Sequence, residues 1–136
     1  MSSRGLRNRN PGNIRISECR FKGEVVPSID PSFKQFRGEA WGYRAIFVIL
    51  NTYRVKHKLN TLREMINRWA PPSENKTENY VEYVARTALV DADIPLDTLH
   101  RETMLPIVAA MSQMENGVKA DWAAVERGWD LFEASA

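Results

Sequence analysis

A single cysteine, Cys19, leaves this 136-residue chain without an internal disulfide, and no Cys and His residues cluster at the spacing of a zinc site. Nor is any cofactor-binding fingerprint present, so none is expected. No apolar run approaches the ~18 residues that a membrane span requires, and Met1-Ser2-Ser3-Arg4-Gly5 has no apolar core of the signal-peptide kind. Synthesis in the cytoplasm without a leader is expected, with any role outside it depending on other means of delivery. Internal repeats and low-complexity segments are also missing. The net charge is only +2, too mild to name a polyanionic partner by itself.

What is present suits one compact unit, a single domain over residues 1–136. Hydrophobic residues make up 43% of the chain, enough for a core without covalent staples. The charge is uneven, however. Before position 38 the basic residues are Arg4, Arg7, Arg9, Arg15, Arg20, Lys22, Lys34 and Arg37, against the acids Glu18, Glu24 and Asp30. That surface favours anionic partners through long-range attraction that salt weakens.

Residues 7–15 are the most conspicuous local stretch. Pro11-Gly12 is a strong turn signal, and Asn8, Asn10 and Asn13 can bond the turned backbone or offer amides to a ligand. A helix is not expected there. Residues 14–37 read as extended: Ile14 and Ile16 alternate with polar neighbours, Lys22-Gly23 marks a turn, and Pro27 and Pro31 exclude a helix, which together predict a small β-ribbon.

From Glu39 the period becomes helical. Ala40, Tyr43, Ala45, Ile46, Phe47, Ile49, Leu50 and Tyr53 form a band too broad for a surface helix, so this is the predicted central buried helix, ending near Lys56-His57-Lys58. Asn60-Thr61 caps a short helix through Trp69 that Pro71-Pro72 stops. Asn75 and Thr77 are the predicted caps of a third helix through Ala88, residues 89–97 form a connector, and a fourth helix covers 101–115 if it effectively begins around Pro106. Gly117 is a natural terminator, and a last helix runs from about Asp121 to Phe132.

The chemistry centres on Glu115. A carboxylate in the last turn of an apolar helix lies against the negative end of the helix dipole, and partial burial beside Met111 and Met114 disfavours charge further. A carboxyl group that keeps its proton near neutral pH is what a glycosidase general acid needs.

Glu115-Asn116-Gly117 resembles the end of the catalytic helix in lysozyme-like enzymes and soluble lytic transglycosylases, where an apolar helix closes on a glutamate followed by a small polar residue and glycine. Asn10-Pro11-Gly12-Asn13-Ile14 resembles the asparagine-turn-Ile segment that follows the catalytic glutamate in bacterial glucosaminidases. Together with Gly42-Tyr43-Arg44-Ala45, Trp69-Ala70-Pro71-Pro72 and the Glu74-Asn75, Thr77 and Tyr80 set, the pattern is similar to small phage proteins known as virion structural proteins or lytic enzymes. Phe21 departs from it, standing where Trp precedes Lys22-Gly23.

The resemblance implies a mainly α, lysozyme-like helical domain with a small N-terminal β-ribbon, circularly permuted because the asparagine stretch here precedes the glutamate. It implies cleavage of peptidoglycan glycan strands by a muramidase or lytic transglycosylase mechanism, with Glu115 as general acid. Asn10, Asn13, Trp69, Asn75 and Tyr80 would bind substrate, and a second carboxylate, if one is used, would be Glu24 or Asp30. The cell wall, reached from the periplasmic side or from a virion, and other phage virion proteins are the implied partners. A catalytically silent virion component with the same fold is the alternative. A nucleic-acid-binding domain ranks third, because the later helices carry many acids and no recognition-helix pattern.

Overall fold

A computed structural model describes residues 3–135. Among them the chain is mainly helical with one small antiparallel sheet. A single helical turn, α1 (Arg4–Arg7), precedes the asparagine stretch. Two short strands follow, β1 (Glu24–Val25) and β2 (Gln35–Phe36), paired with Glu24 opposite Phe36 and Val25 opposite Gln35. The helices α2 (Glu39–His57), α3 (Leu62–Trp69), α4 (Thr77–Ala88), α5 (Arg101–Asn116) and α6 (Trp122–Ala134) complete the order.

The broad apolar band has the predicted consequence: α2 is the central helix, with Tyr43, Ile46, Phe47 and Leu50 shut away from solvent. Its main partner is α6, which brings Val125, Trp129 and Phe132. The Phe47 and Trp129 rings meet edge to face with centroids 5.0 Å apart. On the other side α4 packs against α5, and Val81, Val84, Met104, Ile107 and Met111 extend the same core. The connector after α4 turns back to the start of α3, where Leu96 N–H donates to Asn60 O over 2.7 Å. No helix among the described residues is long and apolar enough to cross a membrane.

Local signals worked where the chain itself supplied both partners. Thr61 accepts from the Glu64 backbone N–H while the Glu64 carboxylate accepts from the Thr61 N–H, a complete capping box opening α3. Gly117 takes the left-handed conformation, φ 74°, that ends α5.

Two expectations fail for tertiary reasons. Asn75 and Thr77 do not cap α4: the Asn75 amide donates to Pro71 O and the Thr77 hydroxyl to Ala70 O, so both tie the Pro71-Pro72 loop to the helix rather than its free N–H groups. Helix α5 spans the expected range from Arg101, but it does not effectively begin around Pro106: Met104 N–H is already bonded to His100 O at 3.0 Å. The missing Pro106 N–H removes one helical bond near the start, and burial of Met104, Leu105, Ile107 and Val108 on either side holds the helix through it.

Helices α2 and α6 approach closely at Gly128. A Cβ there would lie 2.6 Å from Tyr43 Cβ and 3.0 Å from the Ala40 carbonyl oxygen, neither of which is a free side-chain end. Gly128→Ala gains about 1 kcal/mol of helix propensity, yet the helices must separate, at a cost of about 1–3 kcal/mol. The variant is therefore expected to melt below wild type in a thermal scan. A higher melting temperature would mean that the helices are not in this contact.

Candidate functional site

The last turn of α5 carries Glu115 to the edge of a cleft of about 420 Å³. Three chain segments form its walls: the asparagine turn with Gly12, Asn13, Ile14 and Arg15, the α3 end and loop with Trp69, Pro71, Glu74 and Asn75, and the α2 face with Ile49 and Tyr53, alongside Phe33. Glu115 is half-buried.

Its carboxylate is surrounded by donors. Asn13 Nδ2 donates to Glu115 Oε1 at 3.0 Å and also to the Glu115 backbone oxygen at 3.2 Å. Tyr80 Oη donates to Oε2 at 3.0 Å, and Trp69 Nε1 to the same oxygen at 3.3 Å. Burial pushes the Tyr80 hydroxyl well above its usual range, and the neighbouring Glu115 charge adds to this, so the phenol keeps its proton and remains a donor. Asn13 sits at φ 49°, a left-handed position that asparagine tolerates better than most residues.

The asparagine turn reaches α5 because it is fastened there. Asn13 N–H donates to Asn10 O, closing the Pro11-Gly12 turn. Asn116 Nδ2 then donates to Pro11 O at 2.8 Å and to Ser112 O at 2.9 Å, while Asn116 Oδ1 accepts from the Ser3 hydroxyl at 2.6 Å. Helix α1 closes over this junction with glycine at the contact: a Cβ on Gly5 would fall 2.5 Å from Asn13 Oδ1 and 2.6 Å from Asn116 Oδ1.

Five of the residues expected from the sequence therefore meet around the cleft: Glu115, Asn13, Trp69 and Tyr80 through direct bonds, and Asn75 along the wall. Asn10 does not join them. It is fully buried, donating to Ile14 O at 3.0 Å and Lys34 O at 2.9 Å and accepting from Ile14 N–H at 2.9 Å, so its amide is consumed in bracing the loop.

Glu24 and Asp30 are likewise corrected, from candidate second carboxylates to internal braces. Glu24 accepts from the Lys34 ammonium at 2.9 Å and 3.1 Å, and that fully buried Lys34 also donates to Cys19 O at 2.6 Å. A buried ammonium is tolerated only when acceptors satisfy its N–H groups, as they do here. Asp30 accepts a paired bond from Arg4 at 2.6 and 2.7 Å, together with bonds from Asn8 Nδ2 and the Ser32 and Phe33 N–H groups. The Arg4 guanidinium holds its carboxyl well below the usual carboxylate range, and the backbone donors act the same way.

Sequence reasoning did not give Asn116 its role as a clamp, nor place Arg15, Phe33, Tyr53 and Glu74 in the cleft. Asn116 had a local signal, its place between Glu115 and Gly117, but the partner that defines its role lies over a hundred residues earlier.

These features define a class: a small helical protein with a cleft built around one donor-bound glutamate. No family model matches the chain. It is 40% identical over 119 residues to Protein P5 of Pseudoalteromonas phage PM2, an alignment that covers 85% of this chain and 72% of that protein. The chain belongs to the family of that phage protein, in keeping with the bacteriophage connection expected from its motifs.

Asp30 gives the N-terminal ribbon a signed pH dependence. Because folding lowers its pKa, its stabilising contribution is complete above about pH 4, the range of an unfolded aspartate, and is lost as pH falls toward the folded value. Melting temperatures measured from pH 6 down to pH 2 should fall less steeply below pH 4 in Asp30→Asn than in wild type. Parallel curves would show that the Arg4–Asp30 pair does not couple to folding.

Proposed function

We propose that this protein is a peptidoglycan-degrading enzyme that cleaves the glycan strand with Glu115 as proton donor, within a lysozyme-like, circularly permuted domain. The observation that carries this reading is the convergence of Asn13, Trp69 and Tyr80 on one carboxyl group at the edge of an open cleft. Such a cleft suits a polymer, which must enter and leave sideways. Fixed donors hold the carboxyl in one orientation, the condition for delivering a proton to a glycosidic oxygen as its bond to C1 breaks.

The engagement of Glu24 and Asp30 elsewhere favours the transglycosylase mode. There a single glutamate first protonates the leaving oxygen and then, as a carboxylate, takes the proton of the sugar's own C6 hydroxyl as that oxygen closes on C1. Two-carboxylate hydrolysis needs a second group at a defined separation. Asn75 offers its amide oxygen to the N–H of an N-acetyl group, and Trp69 and Tyr53 offer ring surface to the sugars, while the Asn13 amide orients Glu115. A catalytically silent virion component is the second reading. It is favoured by the engagement of both Glu115 oxygens with protein donors, which leaves the group buttressed as well as oriented.

Clearing of purified peptidoglycan tests the proposal. Glu115→Gln is expected to lose at least about 10²-fold in rate, with its circular dichroism unchanged. Tyr80→Phe, which removes one donor and little volume, is expected to slow clearing about tenfold. Mass spectra of the released fragments should show 1,6-anhydro ends. Reducing ends would replace the transglycosylase mode with hydrolysis, equal clearing by Glu115→Gln would remove Glu115 as the acid, and no clearing by wild type would favour the silent component.

A further inference from the structure

We propose that Arg15 is an anion subsite of the Glu115 cleft, taking a carboxylate carried by the sugar strand and so selecting muramyl-peptide glycan over neutral N-acetylglucosamine polymers. This deepens the glycan-cleaving reading and rests on it for the identity of the ligand.

Arg15 lines the same cleft as Glu115, and its guanidinium carbon lies 5.2 Å from the centre of the Phe33 ring, which lines that cleft as well. A second arginine, Arg4, lies over the same ring at 4.7 Å, and the comparison sets the two apart. Arg4 is neutralised by its paired bonds to Asp30, whereas Arg15 has no carboxylate within ion-pair distance among the described residues. The cation–π contact with Phe33 holds the Arg15 guanidinium without using its N–H donors, which leaves them for a planar acceptor.

The backbone beneath Arg15 is fixed on both sides. Arg15 forms an isolated antiparallel bridge with Phe33; Ile14 N–H donates to Asn10 Oδ1, Lys34 N–H to Ile14 O and Ile16 N–H to Ser32 O. The buried Asn10 amide and the Lys34–Glu24 pair thus hold the strand that presents Arg15. A cation held in advance loses less side-chain freedom on binding than a free surface arginine.

The cleft is also electrically polarised. Arg15 comes from the asparagine-turn wall, and Glu74, exposed beside Asn75, from the wall after α3. An anionic ligand group is drawn toward Arg15 and turned away from Glu74. A glycan that carries a lactyl-linked peptide with free carboxylates matches this polarity. A chitin oligomer, with no charge, gains nothing from it.

The test is equilibrium binding to the Glu115→Gln protein, followed by calorimetry, with two probes: an N-acetylglucosaminyl-N-acetylmuramyl tetrapeptide and neutral chitotriose. The peptide-bearing disaccharide is expected to bind about tenfold tighter than chitotriose at low salt, with the advantage shrinking as salt rises. Adding Arg15→Gln should bring the two affinities to within about twofold of each other, while Arg15→Lys keeps part of the preference. An unchanged preference in Arg15→Gln, equal affinities before that substitution, or no binding of either probe overturns the subsite. A preference that depends on Arg15 in a protein whose wild type clears no peptidoglycan keeps the subsite and overturns cleavage.

Discussion

The clamp between Asn116 and the Pro11 carbonyl is the interaction on which the rest of the site depends. It joins the first dozen residues to the last turn of a helix near the other end of the chain. Asn116 satisfies Pro11 O and Ser112 O with one amide group and receives the Ser3 hydroxyl on its other atom. With the turn held there, Asn13 arrives within bonding distance of Glu115; without it, the carboxyl would keep only the Trp69 and Tyr80 contacts from its own helical neighbours. A buried or half-buried amide with every atom engaged specifies one arrangement more strictly than apolar contact does.

Charge is used in two ways in the N-terminal region. Lys34 pairs with Glu24 inside the ribbon and Arg4 of α1 pairs with Asp30, and both stiffen a segment that has little regular sheet of its own. Among the described residues Arg15 has no ion-pair partner, and it lies at the cleft. The excess of basic residues before position 38 is thus divided between internal support and the wall of the cleft. For a cell-wall polymer, the function proposed for this family member, the first use positions the second.

Much of the fold was legible because it is written in short-range terms. The α2 band, the Thr61–Glu64 capping box and the Gly117 terminator each depend on residues a few positions apart. The expected range of α5 held, but Pro106 lies inside the helix rather than at its effective start because flanking burial overrides that local signal, and Thr77 was misjudged because its hydroxyl finds a carbonyl seven residues back rather than its own helix. Glu115, Asn13, Trp69 and Tyr80 were recognisable as a set through motif resemblance. Asn10, Glu24 and Asp30 carried the same kind of signal and proved internal, since residue type alone does not distinguish an amide or carboxylate facing a ligand from one facing its own backbone.

The sequence by itself determined the five longer helices, α2 to α6, the turn at Pro11-Gly12 and the glutamate at the end of α5, because helical periodicity, capping and turn chemistry act over about four residues. Only the tertiary structure decided which polar groups face the cleft. That choice depends on pairings such as Asn13 with Glu115 and Asn116 with Pro11, separated by more than a hundred residues. Their hydrogen bonds depend on helix packing that brings the two ends of the chain together.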